Sequence, residues 1–246
     1  MDPMNLGKLA ECPVLILVGG LGTRLRPVHA SGPKALVPVD GRPFLAYLLQ
    51  HLATSGFRHI TLCVGYGAEQ VEQWLGNGST LGLVVNYSSE AEPLGTAGAL
   101  RLAYTRFIAG QRFFAMNGDS ILQVPFQSMY GAHLERRPAG TIALAGVADT
   151  SRYGRVEVND DGFVGGFREK SGEQMPGFIN GGVYLFEPSI MDLVPAGRPV
   201  SLEHEILPML DSQSLLAFKS NGYFIDIGVP EDLARAQTVL PEWIRS

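Results

Sequence analysis

Cysteine is scarce in this sequence: Cys12 and Cys63 are the only two. They form no Cys-x-x-Cys pair, which argues against a thiolate zinc site or a disulfide framework and reads as two buried or semi-buried thiols. Charge is sparse as well, at 17% of residues with a net charge of −5. That balance lacks the basic stripe of a nucleic-acid-binding surface, although a few placed cations can still hold a phosphate. No stretch approaches the ~20 apolar residues that a membrane span needs. The first eleven residues lack the basic, apolar and small-residue order of a secretory signal, so a cytoplasmic protein with no membrane or nucleic-acid partner is expected. His29, His51, His59, His133 and His204 show no paired metal-ligand spacing and read as structural or surface groups.

What the sequence does have is a large apolar fraction, 46% of 246 residues, enough for a substantial core. Its 30 glycines are dispersed, as in a protein with many turns and close backbone approaches. The unbroken apolar run Pro13–Val18 suits a strand buried on both faces. A helix over Pro43–Ser55, a strand over His59–Val64, a short helix over Glu69–Leu75, a strand over Leu83–Tyr87, a helix over Thr96–Phe107 and a strand over Arg112–Met116 continue the alternation. Strand and helix alternating at this spacing predict right-handed βαβ units and a mainly parallel sheet within a three-layer α/β/α fold.

After Thr141–Val147 the pattern changes. Arg155–Val158, Phe163–Arg168 and Gly182–Phe186 are strand-like, and Asp160-Asp161-Gly162 is a hairpin turn between the first two. These strands are expected to form an inserted smaller sheet over the ligand rim. Helical segments near Pro188–Leu193 and Leu202–Leu210, a strand at Tyr223–Ile227 and a helix over 230–240 complete the chain. Tyr223 and Phe224 read as core. One domain over 1–246 is expected, with a nucleotide-binding half at about 12–146 and a sugar-binding part at about 147–228.

Gly19-Gly20-Leu21-Gly22-Thr23-Arg24 directly follows the first strand, where ligands of such sheets bind. Three glycines in four positions let the backbone turn sharply and present N–H groups to an anion. The loop lacks the Lys-Ser/Thr ending of a Walker A loop, and Leu25 stands where the dinucleotide fingerprint needs its third glycine. A tight turn without a ligand explains the glycines but not Arg24 and Arg26 beside them. Lys34, between Pro33 and an apolar run, taken alone reads as a solvated charge. Asp119 and Asp226, each ending a strand-like segment, are locally as consistent with turn capping as with function.

Taken together, Gly-Gly-x-Gly-Thr-Arg-Leu-x-Pro and Pro33-Lys34-x-Leu36-x-Pro38-Val39-x-Gly41-x-Pro43 resemble the signature of the sugar-phosphate nucleotidyltransferases. Glu90-x-x-Pro93-Leu94-Gly95-Thr96-Ala97-Gly98, Asn117-Gly118-Asp119, Tyr153-Gly154, Glu169-Lys170, Asn180-Gly181-Gly182 and Asp226-Ile227-Gly228-x-Pro230-Glu231-Asp232 extend the resemblance through nearly the whole chain. It implies a Rossmann-like, GT-A-like fold and attack of a sugar 1-phosphate on the α-phosphorus of an NTP. It further implies a nucleotide site of Leu17, Gly19, Gly20, Gly22, Thr23, Arg24, Lys34, Glu90, Pro93, Gly95, Thr96, Asn117 and Gly118. Asp119 and Asp226 are implied to share a Mg²⁺ ion, which favours one or two carboxylates with phosphate and water as further ligands. Arg24 and Lys34 would grip the triphosphate, and Lys170 the phosphate of the sugar. Glu169, Asn180 and the backbone at Gly154 and Gly181 would complete the sugar pocket.

A carboxylate at Glu90 could accept both N1–H and the 2-amino group of guanine, which points to GTP. The Glu90 segment is similar to that of mannose-1-phosphate and D-glycero-α-D-manno-heptose 1-phosphate guanylyltransferases. The chain's shortness is more like the compact bacterial heptose group, which supplies surface polysaccharides such as capsule. A compact uridylyltransferase for an amino-sugar 1-phosphate and a catalytically silent nucleotide-sugar-binding regulatory protein are the alternatives. The latter expects a lost Lys34 or metal aspartate, and all are present. A homodimer is compatible with the sequence, which does not decide the oligomeric state.

Overall fold

The computed structural model describes residues 9–20, 32–170, 172–210 and 212–245. The chain runs through β1 (Val14–Leu17), a 3-10 turn at Lys34–Leu36, β2 (Pro38–Val39), β3 (Arg42–Pro43), α1 (Phe44–Thr54), β4 (His59–Val64), α2 (Ala68–Leu75), β5 (Val84–Ser89), α3 (Gly95–Ala103) and β6 (Phe113–Asn117). Its second half holds β7 (Ser120–Leu122), α4 (Phe126–Arg136), β8 (Gly140–Val147), β9 (Arg155–Val158), β10 (Val164–Arg168), β11 (Gly177–Phe186), α5 (Ser189–Asp192), β12 (Leu215–Ser220), β13 (Phe224–Asp226) and α6 (Pro230–Arg245). No helix among the described residues is long and apolar enough to cross a membrane.

Nine strands form one sheet in the order β10-β9-β11-β6-β1-β4-β5, with β8 paired to β11 and β12 paired to β8. β1 pairs in parallel with β4 and β6, and β4 with β5, as the βαβ alternation requires. β11 runs antiparallel to both β6 and β8. Because successive strand residues face opposite sides, β1 feeds two cores: Val14 and Ile16 join one, Leu15 the other. The first core packs α1 and α6 against the sheet, with Phe57, Phe114 and Phe126 in edge-to-face contact. The second packs α3 through Ala97, Leu100 and Ala103, small residues that let the helix lie close. The result is the expected α/β/α layering.

Several elements differ from the sequence reading, each for a physical reason. The β9–β10 hairpin extends the main sheet through the Ile179–Arg155 pairing, and the separate ribbons are β7 with β13 and β2 with β3. The helix of 202–210 is a π-helical turn at Leu202–Ile206 followed by a 3-10 turn at Leu207–Met209 that contains Pro208. The C-terminal helix does not stop at 240 but runs through Pro241 to Arg245. Trp243 and Ile244 pack on the first core, which offsets the backbone bond that proline forfeits. α4 and β12 were not expected: Gly131 and a polar surface dilute the pattern of the first, and the second is an edge strand paired only to β8. Tyr223 is 63% exposed and so is not core, while Phe224 packs on Tyr153.

Candidate active site

The carboxyl ends of β1, β4 and β6 meet in a cavity of about 680 Å³. Leu17, Gly19, Gly20, Lys34, Glu90, Pro93, Gly95, Thr96, Asn117, Gly118 and Asp119 all line it. Gly22, Thr23 and Arg24 lie outside the described residues. The sequence spread these groups over a hundred positions; parallel pairing brings their strand ends to one rim. Gly118 shows why the turn after β6 needs glycine: a Cβ there would stand 2.5 Å from Val18 Cγ1 and 2.6 Å from the Leu17 carbonyl oxygen. Gly95, at φ +71°, opens α3, and its Cβ would meet the Val200 carbonyl oxygen at 2.5 Å.

Glu90 follows β5 and is held by the Leu94 N–H, which donates to Oε2 at 3.0 Å. Gly19 and Gly65 leave room for its other oxygen: a Cβ would approach Oε1 at 3.4 Å from the first and 3.0 Å from the second. Thr96 Oγ1 donates to Glu203 Oε2 at 2.8 Å and accepts from the Leu202 N–H at 2.7 Å. This ties the start of α3 to the turn at 202–206.

Lys34 is not a solvated charge; it is 9% exposed. Its Nζ lies 2.7 Å from Asp119 Oδ2 and 4.0 Å from Asp226 Oδ1. The β7–β13 ribbon sets this geometry by pairing Ser120 with Asp226, and the Ile227 N–H donates to the Asp119 carbonyl at 3.0 Å. Burial, then the neighbouring charge of Asp119, pushes the Asp226 carboxyl above the usual carboxylate range, against the pull of Lys34. The Gly228 N–H donates to Asp226 Oδ1 at 2.8 Å and orients it. Asp119 and Asp226 thus flank the Lys34 ammonium, and they are the two residues here that could hold a divalent ion whose other ligands are phosphate and water.

A second cavity of about 200 Å³ is lined by Asp226 together with Gly154, Lys170 and Asn180. Arg152 lines it too, with Nη2 2.7 Å from Asp232 Oδ2. Asn180 Nδ2 donates to Tyr184 Oη at 2.7 Å, and its Oδ1 accepts from the Gly182 N–H at 2.9 Å. Glu169 does not line this cavity. It faces His204, 3.7 Å from Nδ1, on the wall of a third. Gly181 sits in the irregular part of β11 against Leu122 and the Ala143 carbonyl.

The sequence reading missed Cys63, Gly65, Tyr66, Glu203 and Arg152 as wall residues. Gly65 and Tyr66 follow β4 at the same rim as Gly19, so the strand-end rule could have found them. Glu203 had no local signal, since its place comes from packing against α3. Both cysteines are free and buried, and burial pushes the Cys12 thiol up to about 12.

Residues 13–242 match the family model described as nucleotidyl transferase. Among curated proteins, the chain is 41% identical over 221 residues to the mannose-1-phosphate guanylyltransferase catalytic subunit beta of Drosophila melanogaster. That match covers 89% of this chain and 60% of the fly protein, so the chain spans about three fifths of that relative. It is 38% identical to the D-glycero-alpha-D-manno-heptose 1-phosphate guanylyltransferase of Aneurinibacillus thermoaerophilus, covering 94% of this chain and 99% of the relative. Among solved structures, HddC from Yersinia pseudotuberculosis complexed with GMP-PN superposes with a TM-score of 0.82 at 33% identity, covering 92% and 98% of the two chains.

Proposed function

This chain belongs to the nucleotidyl transferase family, and we propose that it transfers a guanylyl group from GTP to D-glycero-α-D-manno-heptose 1-phosphate, releasing pyrophosphate. The observation that carries the reading is the convergence of Lys34, Asp119 and Asp226 at the junction of a large and a small cavity. The names of the bacillar relative and of the GMP-PN complex support the base and the sugar. A second acceptor, mannose 1-phosphate, is favoured by the 41% identity to the fly relative.

In the reaction an oxygen of the sugar phosphate forms a bond to the α-phosphorus as the bond to the bridging oxygen of the leaving pyrophosphate breaks. The nucleophile is already an anion, so no general base is required. Catalysis is then alignment of two phosphates and neutralisation of their charge. Lys34 supplies a buried positive charge at the junction, and Lys170 draws the sugar phosphate toward it from the smaller cavity. Asp119 and Asp226 would hold Mg²⁺, which when bound neutralises phosphate charge. Glu90, held by the Leu94 N–H, would accept hydrogen bonds from N1 and the 2-amino group of guanine.

A pyrophosphate-release assay that crosses GTP, UTP, dTTP and CTP with heptose, mannose, glucose and N-acetylglucosamine 1-phosphates tests this. Turnover is expected with GTP and the manno-configured sugars. Turnover with UTP and not GTP overturns the base assignment, and no release with any pair overturns the function.

A further inference from the structure

Besides Lys170 and Asp226, the second cavity has one more charged side chain among its described lining residues, Arg152. A phosphate monoester carries about two negative charges near neutral pH. Asp226 offsets one cation, so Lys170 alone would leave a cavity of no net charge to receive a dianion. Arg152 tips the balance to positive.

The guanidinium is braced at the wall. Arg152 lies between β8 and β9, and its Nη2 stands 2.7 Å from Oδ2 of Asp232 in the first turn of α6. The aspartate side chain is 11% exposed and the arginine side chain 48%, so the anion is turned into the protein and the cation is left open. The Tyr153 ring supports the guanidinium as well, with Cζ 5.8 Å from its centroid, and Tyr153 packs edge-on against Phe224 of β13. Among the described residues the guanidinium donates only to Asp232. It carries five N–H groups in a planar fork, so the others can meet two phosphate oxygens together. One short segment, from Asp226 to Asp232, therefore sets one carboxylate beside Lys34 and another beside Arg152.

Resting on the reading of the second cavity as the seat of the sugar phosphate, we propose that Arg152 is a second ligand of that phosphate. Asp232 is a positioning residue that acts through Arg152, holding its fork at the cavity wall. Lys170 and Arg152 then share the dianion beside Asp226. The start of α6 thereby takes part in binding the acceptor, although Asp232 itself does not line the cavity.

The test is steady-state pyrophosphate release by the unmodified chain, Arg152→Ala, Asp232→Asn and the double variant, with the NTP and sugar 1-phosphate that the crossed assay turns over best. Arg152→Ala is expected to raise KM for the sugar 1-phosphate by about 10- to 100-fold, the size of a lost charge-assisted hydrogen bond, and KM for the NTP by less than about threefold. Arg152→Lys keeps the charge without the fork and should fall between. Asp232→Asn should raise the sugar KM by about three- to tenfold in the unmodified background and not at all in the Arg152→Ala background. A carboxylate in the first turn also favours its helix, but that structural role would act equally in both backgrounds. If Asp232→Asn does not fold, Asp232→Glu takes its place. An unchanged sugar KM in Arg152→Ala overturns the inference, and equal effects of the Asp232 variant in the two backgrounds overturn its positioning role. If the unmodified chain turns over no pair, the proposed reaction falls, and calorimetric titration with mannose 1-phosphate reads the site instead. Binding that Arg152→Ala loses keeps the phosphate ligand; equal binding, or none, removes it.

Discussion

Lys34 Nζ stands 2.7 Å from Asp119 Oδ2, and the lysine is buried while the aspartate side chain stays 42% exposed. The cation is therefore fixed from the protein side, and the carboxylate remains open to ligands from the cavity. Lys34→Ala is expected to lower kcat by roughly 10²–10³, the magnitude typical of removing one preorganised charge from a transition state. Circular dichroism should show the fold retained. A near-normal kcat would remove Lys34 from the chemistry.

Lys170 lines the smaller cavity beside Asp226 and Gly154. Lys170→Ala should raise KM for the sugar 1-phosphate and cut turnover by orders of magnitude, with KM for GTP nearly unchanged. An equal rise in both KM values would mean that the lysine acts on the whole site rather than on the sugar phosphate.

Glu90 is held by Leu94 with one oxygen close to Gly19 and Gly65. Glu90→Gln replaces half of its accepting capacity with a donor. The expected result is a loss of about tenfold or more in kcat/KM for GTP, with the weak turnover of other NTPs much less affected. Steady-state pyrophosphate release with GTP and UTP reads this ratio directly.

His51 packs between Phe126 and Trp243, with ring centroids 5.3 and 4.7 Å away, and its Nε2 is buried with no hydrogen-bond partner among the described residues. Burial lowers its pKa to about 4 from an ordinary 6.5. Above the ordinary value both folded and unfolded chains hold it neutral, and it adds no pH dependence. As pH falls from 6.5 toward 4 the unfolded chain takes up the proton first, so stability declines through that window. At pH 5 the loss is about 1–2 kcal/mol, and urea midpoints at pH 7.5 and pH 5 measure it. His51→Phe should flatten the difference between the two pH values.

Glu187 joins a half-buried network at the opposite end of β6 from the cavities. Its Oε1 lies 2.6 Å from Arg112 Nη2 and 3.0 Å from the Nε2 of the fully buried His133, whose Nδ1 lies 2.7 Å from Thr141 Oγ1. Burial lowers the His133 pKa, and Glu187 opposes that shift. Glu187→Ala leaves His133 Nε2 without its partner and Arg112 with only the Tyr130 hydroxyl, and should cost about 1–2 kcal/mol in denaturant unfolding. Turnover per folded molecule should be unchanged, which separates this network from the catalytic one.

Local patterns carried much of the architecture. The run at β1 and the spacing of α1, β4 and β5 gave away parallel pairing, because a strand buried on both faces can afford no polar residue between Pro13 and Gly19. The hairpin at Asp160–Gly162 was legible from turn chemistry, and Gly162 does adopt a positive φ of +84°. Less legible were α4, with its diluted pattern, and the passage of α6 through Pro241. In the second case the packing of Trp243 and Ile244 outweighs proline's local preference.

The sequence by itself determined which groups could meet a phosphate and that the ends of β1 and β6 would share one rim, since both follow from strand alternation and glycine position. Only the tertiary structure decided how they meet. Lys34 looks like an exposed lysine in its own segment, and it becomes buried because the β7–β13 ribbon brings Asp226 beside Asp119 and encloses its ammonium. Glu169 and Lys170, adjacent in the chain, face different cavities, and Glu203 gains its place by docking under Thr96. Burial and long-range pairing depend on residues far away along the chain, and no local spacing encodes them.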